Sequence, residues 1–384
     1  MYLVGVVPGP RSPSVIRSQI SHSVKLAVDD LQKFRQGVHF TRTYNYPGGR
    51  LCKSLCIDII TDALACREIA GFPSPSSLYP CTSCHLKKSE IGNLDRQSWP
   101  RRDLREHKRI AQAWWDAETF AEQQTLFKSH YLRWSEFNRL DYFNIILYTP
   151  SDLPHTGYLN AAQTHFREIF GIDFEKPGGD GQPISVSDPN AMNVDVDNSH
   201  DRTNRRRHRK DPKLQDIIYR DMDNIFLPTW MNSAPRDWGS ARRGKLKANE
   251  WKMLTLVHVP ITLIRLWGTH PVERKRNMLD NFMALAQALR IADFYSLRRK
   301  DVFSFNKHIT HYLKTLQELY QASDESILKP HHHALMHMGE DLAFMGPNHA
   351  RNTMPCERYI HFMQNRNLNN QFGMFHIIRL IVSN

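Results

Sequence analysis

The chain has 384 residues, of which 41% are hydrophobic and 10% are aromatic, a composition that predicts a folded protein with a large core and excludes a disordered one. Lys and Arg outnumber Asp and Glu by 51 to 39, and the formal net charge of +12 favours polyanionic partners such as DNA. No run approaches the roughly eighteen apolar residues of a membrane span, and the N-terminus lacks a secretory pattern. We therefore expect an intracellular protein with no membrane partner.

The first half of the chain alternates between strand and helix patterns. MYLVGVVP reads as a short β run ended by Pro-Gly-Pro, and a helical pattern follows that closes at Gly37. RLCKSLCIDIITD is predicted to be a buried strand with Asp62 at its carboxyl end, where ligands usually bind in α/β sheets. After a charged helical stretch, FNIILYTP is predicted to be another strand, and Leu153 to Ile172 the helix after it. The pattern indicates the α/β fold class.

The composition changes abruptly in the middle of the chain. Residues 173–201 are rich in Asp, Pro, Gly and Ser and predict a solvated linker. The run RTNRRRHRK that follows could be the end of this linker, a nuclear import signal or a contact to a DNA backbone. Its candidate DNA-binding residues are Arg205, Arg206, Arg207, Arg209 and Lys210. From Leu214 to Glu340 nearly every segment has helical periodicity, which predicts a helical domain.

Cysteine and histidine spacing suggests metal sites. Cys81 and Cys84 in YPCTSCHLKK form half of a zinc site, which needs four ligands, and His107 on the next helical segment is the candidate for a third. The alternative is a pair of reduced thiols. The run LKPHHHALMHM contains His332, His333 and His337 at helical spacing. These three could bind a metal, or they could be half-buried imidazoles on a packing helix.

Three further segments contain acidic or metal-competent residues beside apolar elements. They are ITDALACREIAGF with Asp62, SDLPHTGYL with Asp152 and His155, and MPCERYIHFMQNRNLNNQFG with Glu357. Such scattered positions are typical of a two-metal phosphoryl-transfer site before folding. Asp62 could also be a helix N-cap, a role compatible with metal binding, and His155 could be a partly buried packing residue.

These segments, in this order, resemble the fungal relatives of CACTA-type cut-and-paste transposases, the Plavaka-like group. LVGVVPGP resembles the family's VGVIPGP strand, TDALACR its CDLPAAR strand end, and SDLPHTGYL its DxMHNLFLG segment. The CxxC pair, the LKPHHHALMHM run and the block GPNHARNTMPCER also have counterparts in the family. The resemblance therefore covers nearly the whole chain.

The resemblance implies a DDE transposase, whose RNase H-like domain holds Mg²⁺ or Mn²⁺ and cleaves and transfers DNA strands at transposon ends. In this chain Asp62 would lie on the fourth strand and Glu357 on a late helix, both as metal ligands, with Asp152 and His155 at the end of the fifth strand. It also implies a nuclear protein and a homo-oligomer. The expected divisions are a first catalytic part with the CxxC insertion (1–172), a linker (173–211), a helical insertion (212–340) and a return to the catalytic domain (341–384).

Departures from the family pattern lead us to expect an incomplete site. No residue before Asp62 matches the family's first catalytic aspartate, and Arg351 and Asn352 stand where the family has two tryptophans. The ending HIIRLIVSN also differs from the family's acidic continuation. We expect a degenerate relative, truncated at both ends, that binds DNA without cutting it. The alternative is a domesticated, non-catalytic DNA-binding protein.

Overall fold

The structure is a computed structural model that describes residues 19–172, 214–240, 243–321, 326–351 and 353–364. The opening β run, the linker with its basic run, and the chain after residue 364 lie outside the described residues. The helices are α1 (Gln19–Gln36), α2 (Ala63–Ala70), α3 (Leu104–Asp116), α4 (Phe120–His130), α5 (Pro154–Ala162), α6 (His165–Ile169), α7 (Leu214–Asp223), α8 (Ala248–Met253), α9 (Leu254–His258), α10 (Val259–Trp267), α11 (Glu273–Ala292), α12 (Arg299–Tyr320), α13 (Pro330–Met345) and α14 (Met354–Gln364). Of these, α5, α6 and α9 have the wider π-helical turn.

Within the described ranges the sheet is much smaller than the sequence predicts. Strands β1 (Val38–Phe40) and β2 (Arg50–Cys52) form one antiparallel pair, and no other sheet occurs in these ranges. The prediction of an α/β fold is therefore not confirmed, and no RNase H-like sheet is present among the described residues. Of the predicted strand RLCKSLCIDIITD, only the first three residues, Arg50–Cys52, form a strand.

Local hydrogen bonds explain why FNIILYTP does not form the second predicted strand. The Asn144 carbonyl accepts from Tyr148 N at 2.8 Å, and its side-chain oxygen accepts from Ile146 N at 3.1 Å. These bonds fold the segment into turns, because a short polar side chain competes with strand pairing for backbone groups. One backbone bond, from Ile59 N to Tyr148 O at 2.8 Å, joins the two segments that we expected to be strands.

The helical predictions are confirmed more fully. Helix α1 ends where expected, at Gly37, whose φ of 117° suits glycine. Helices α5 and α6 cover most of the predicted helix after FNIILYTP. Between residues 214 and 340, helices α7 to α13 form the predicted helical region. None of the helices in the described ranges is long and apolar enough to cross a membrane.

Two hydrophobic cores organise these helices. The smaller core packs α1 and α2 against the turns around Phe137 and Phe143. The larger core is formed by the loop that contains Cys81 and Cys84 and by helices α5 to α13. Phe166, Phe282 and Trp251 are fully buried in it. The loop before α3 is thereby held against the helical region, although the two are far apart in sequence.

Helix α5 comes close to α11 at a glycine. A Cβ on Gly157 would lie 2.8 Å from Leu289 Cδ2, so a larger residue would push the two helices apart. Helix α13 packs on both α12 and α5. The segment that follows the second predicted strand therefore meets α13, which contains the histidine run.

Candidate functional site

Four potential metal ligands meet beneath the CxxC loop. They are Cys81 and Cys84 from the loop and His333 and His337 from α13. One donor atom from each lies within 4.8 Å of all the others, and all four residues are buried. The group joins positions that are 249 residues apart, since Cys84 Sγ lies 3.2 Å from His333 Nε2. Two thiols and two imidazoles in such an arrangement could hold a metal ion.

The CxxC loop is held in shape by its backbone. Cys84 pairs with Arg101 in an isolated antiparallel bridge, and His85 N donates to Pro100 O at 2.7 Å. The Arg102 guanidinium donates to Cys81 O at 2.8 Å. Ser83 N also donates to Cys81 Sγ at 3.3 Å, which orients the sulfur toward the centre of the loop. The two sulfurs are thus placed by a small hairpin rather than by a regular sheet.

The two histidines are placed by helix geometry. His333 and His337 are four residues apart, so both project from one face of α13. Pro330 in the first turn favours the start of this helix. Trp99 packs against both imidazoles, with ring centroids 4.4 Å from His333 and 4.9 Å from His337. This contact fixes both rings beside the cysteines.

Glu340 and Arg101 orient the imidazole of His337. Its Nδ1 donates to Glu340 Oε2 at 3.0 Å, and Arg101 donates to both oxygens of that carboxylate, at 2.8 and 2.7 Å. Burial would raise the pKa of Glu340, but His337 and Arg101 outweigh it and lower the pKa to about 2. His337 Nε2 is buried without a hydrogen-bond partner among the described groups. Metal-binding histidines commonly have one nitrogen held by a carboxylate and the other facing the ion.

The thiols influence each other strongly. Burial alone would raise the pKa of Cys81, but the neighbouring side chains of Cys84, His333 and His337 outweigh it and hold the pKa well below its usual value. The hydrogen bond to Cys81 and burial raise the pKa of Cys84. Two adjacent buried thiolates would repel each other. A bound cation would remove this repulsion.

His107, our expected third ligand, does not belong to this group. Its ring is buried against Phe72 with centroids 5.2 Å apart. Burial and the neighbouring Arg102 charge lower its pKa to about 3. His332, the other histidine of the predicted cluster, instead accepts a hydrogen bond from Lys329 N at the start of α13. His332, His333 and His337 are buried rather than half-buried, and the last two face the cysteines.

Two of the three predicted catalytic segments meet at His155, and the third, with Asp62, acts on it electrostatically. His155 lies between Asp152 and Glu357: its Nδ1 is 2.7 Å from Asp152 Oδ2 and its Nε2 is 3.4 Å from Glu357 Oε1. The hydrogen bond to Asp152 and the charges of Glu357 and Asp62 raise the pKa of His155, against the effect of burial. We call Asp62, Asp152, His155 and Glu357 the acidic cluster. Its members come from α2, α5 and α14.

Most oxygens of the acidic cluster already accept hydrogen bonds. Asp62 is the N-cap of α2, and its Oδ1 accepts from Leu64 N and Ala65 N, both at 2.9 Å. Asp152 Oδ1 accepts from Thr353 N at 3.2 Å, while its Oδ2 accepts from His155. The cap role that we considered for Asp62 is thus confirmed. Among the described residues, the Cys2His2 group is the one set of three or more donors close enough to share a metal ion.

Buried charges that the sequence analysis did not identify adjoin this cluster. Asp341 accepts from Ser151 N at 3.0 Å, and burial raises its pKa to about 6, partly offset by that bond and the Arg351 charge. The Arg351 side chain is buried, donates to Gly346 O at 3.1 Å, and acts electrostatically on Asp341 and Asp152. In the sequence Arg351 stood out only as a departure from the resembled family's tryptophans, and its burial was not predicted.

The candidate DNA-binding run of arginines, residues 205–210, lies outside the described residues, so its position relative to either site is not part of the structure. No protein-family model matches the chain, and no curated protein matches it either.

Proposed function

We propose that this chain is a transposon-derived protein that resembles cut-and-paste DNA transposases, binds DNA in the nucleus, and does not cleave it. The observation that best supports this proposal is that two of the three segments matched to the family meet at His155. Asp152 and Glu357 come from distant parts of the sequence and both contact His155, whose pKa the charge of Asp62 also raises. A chance match of isolated motifs gives no reason for their residues to meet.

The Cys2His2 group supports a structural zinc ion. Four ligands, two sulfurs and two nitrogens, fill the tetrahedral coordination that zinc prefers in structural sites, and they leave no open position for a substrate. The hydrogen bond from His337 to Glu340 provides the usual carboxylate support for such a ligand. We propose that zinc attaches the CxxC loop to α13 and so fixes the helical region against the first part of the chain.

The hydrogen bonds accepted by the carboxylates of the acidic cluster support a loss of catalysis. A two-metal site needs carboxylate oxygens free to bind hard cations such as Mg²⁺ or Mn²⁺. Here the Asp62 carboxylate caps a helix, and both oxygens of Asp152 accept hydrogen bonds. The buried Arg351 adds a fixed positive charge beside them. The cluster therefore favours a non-catalytic relative over an active enzyme, and the ancestral Mg²⁺ or Mn²⁺ requirement gains no support from its geometry.

DNA binding is supported by charge. The net charge of +12 and the basic run 202–210 can displace counterions from a phosphate backbone. A direct test is fluorescence anisotropy with a labelled duplex at increasing salt concentrations. We expect the logarithm of the binding constant to fall linearly and steeply with the logarithm of salt concentration. Undetectable binding at low salt would refute the proposal, and so would an affinity that does not change with salt.

A further inference from the structure

The turn between α11 and α12 presents exposed aromatic and basic side chains together. Tyr295 is 77% exposed and Phe303 is 72% exposed. Arg298, Arg299 and Lys300, which lie between them in sequence, are also exposed. We call these five residues the α12 patch.

One face of α12 extends this patch. Arg299, Phe303 and Lys307 follow each other at intervals of four residues, so they project from the same side of the helix. All three are exposed. The nearby acidic side chains are already engaged, since Asp301 accepts from the backbone and side chain of Arg298, and Asp293 pairs with Lys252. Asp301 thus compensates Arg298, while Arg299, Lys300 and Lys307 form no ion pair within the described residues.

A short segment of chain connects the α12 patch to the acidic cluster. The Tyr295 ring packs on His349 with centroids 4.1 Å apart, and Asn348 donates to Ala292 O at 3.1 Å at the end of α11. A few residues later, Thr353 donates to Asp152 of the acidic cluster. The segment 348–353 thus contacts the patch at one end and the acidic cluster at the other.

We propose that the α12 patch binds DNA that contains unpaired nucleotides, with its cations on the phosphates and Tyr295 stacked on an unpaired base. This inference rests on the proposed function and adds the surface and the form of DNA. Cations alone would suit any duplex, but an exposed ring gains stacking energy only from a base that is not already stacked in a helix. The combination of aromatic and basic side chains therefore fits a strand end or overhang better than an intact duplex.

The stacking part is tested with the full-length chain and two labelled DNAs of equal length, one fully paired and one with a single-stranded overhang. Tyr295→Ala should weaken binding to the overhang DNA on the order of tenfold, as loss of base stacking does elsewhere, and change duplex binding little. Tyr295→Phe should restore overhang binding. The control is Tyr44→Ala, because Tyr44 is 99% exposed on a different part of the chain. Equal effects of Tyr295→Ala and Tyr44→Ala would overturn the stacking role.

The electrostatic part of the proposal is tested with two double variants, each of which removes two positive charges. Arg299→Gln with Lys307→Gln should lower the slope of the logarithm of affinity against the logarithm of salt by about 2, since each phosphate contact contributes about 0.9. Arg105→Gln with Lys128→Gln, which neutralises exposed cations on α3 and α4, should leave the slope unchanged. If the wild-type chain binds DNA but both double variants behave alike, the patch is not the interface and the proposed function stands. If the wild-type chain binds neither DNA, the proposed function itself fails.

Discussion

Removal of one histidine of the Cys2His2 group should abolish the effect of zinc on stability. His333→Ala takes away one of four ligands, and its Nε2 lies 3.2 Å from Cys84 Sγ. His332→Ala is a matched control, because His332 is equally buried in the same turn of α13 but does not belong to the group. Both variants lose packing contacts, but only His333→Ala should lose the metal.

The expected magnitude follows from the loop that the metal closes. Cys84 and His333 are 249 positions apart, and a cross-link over a loop of that length stabilises the folded state by about 5 kcal/mol in the chain-entropy model used for disulfides. Mass action gives a similar figure, about 4 kcal/mol when free zinc is a thousandfold above its dissociation constant. We expect the wild-type chain to lose about 4 kcal/mol of unfolding free energy when zinc is replaced by a chelator.

The assay is urea unfolding of the wild-type chain and both variants, each with excess zinc and with a chelator. Elemental analysis of the purified proteins should find one zinc per chain in the wild type and in His332→Ala. The zinc response should persist in His332→Ala and vanish in His333→Ala. An identical unfolding curve for the wild type in zinc and in chelator would refute the reasoning, as would a zinc response in His333→Ala as large as that of the wild type.

Other expectations concern the surroundings of the two sites. Glu340→Gln weakens the support of a metal-binding imidazole and should lower zinc affinity by about 10- to 100-fold, measured by competition with a chromophoric chelator. Gly71→Ala should destabilise the fold by about 1–3 kcal/mol in urea unfolding, because Gly71 has a φ of 76° and a Cβ would lie 2.4 Å from a backbone oxygen, whereas Gly48→Ala meets no atom and should be near neutral. His155, whose pKa Asp152 raises, should stabilise the fold fully below its unfolded pKa of about 6.5 and lose that contribution as pH rises through its higher folded pKa. An NMR titration giving His155 a folded pKa at or below 6.5 would contradict this assignment.

Local and periodic features of this fold could be predicted from the sequence. Helix α1 with its closing glycine and the helices between residues 214 and 340 follow directly from apolar periodicity. The cap role of Asp62 follows from its place before a helical run. These features depend on contacts between residues close in sequence, which a single sequence specifies well.

The two strand predictions were not confirmed, because strand pairing depends on residues that are distant in sequence. Ile57 and Leu55 have the apolar character of a buried strand, yet they are 63% and 57% exposed, since the described residues offer no neighbouring strand to cover them. Asn144 meanwhile uses its own side chain to bond the backbone of the next segment. A strand pattern predicts that a segment can pair but does not identify its partner.

The metal ligands, too, could be predicted only where their spacing in the sequence is short. The CxxC spacing indicated half of a site, but His107 was the wrong histidine, because its ring packs on Phe72. His333 and His337 have the four-residue spacing of paired ligands, and Glu340 follows three residues after the second. That spacing was a usable signal. The contact between the loop and α13, however, required the tertiary structure.

The central claim, that the chain binds DNA but does not cut it, is tested most directly by a nicking assay on supercoiled plasmid with Mg²⁺ or Mn²⁺. A gel-shift lane from the same reaction reports binding. We predict a salt-sensitive shift of the plasmid with no conversion to the nicked form in either metal. Metal-dependent nicking that disappears in Asp62→Ala would contradict the claim, because the acidic cluster would then be an active site in spite of its occupied oxygens.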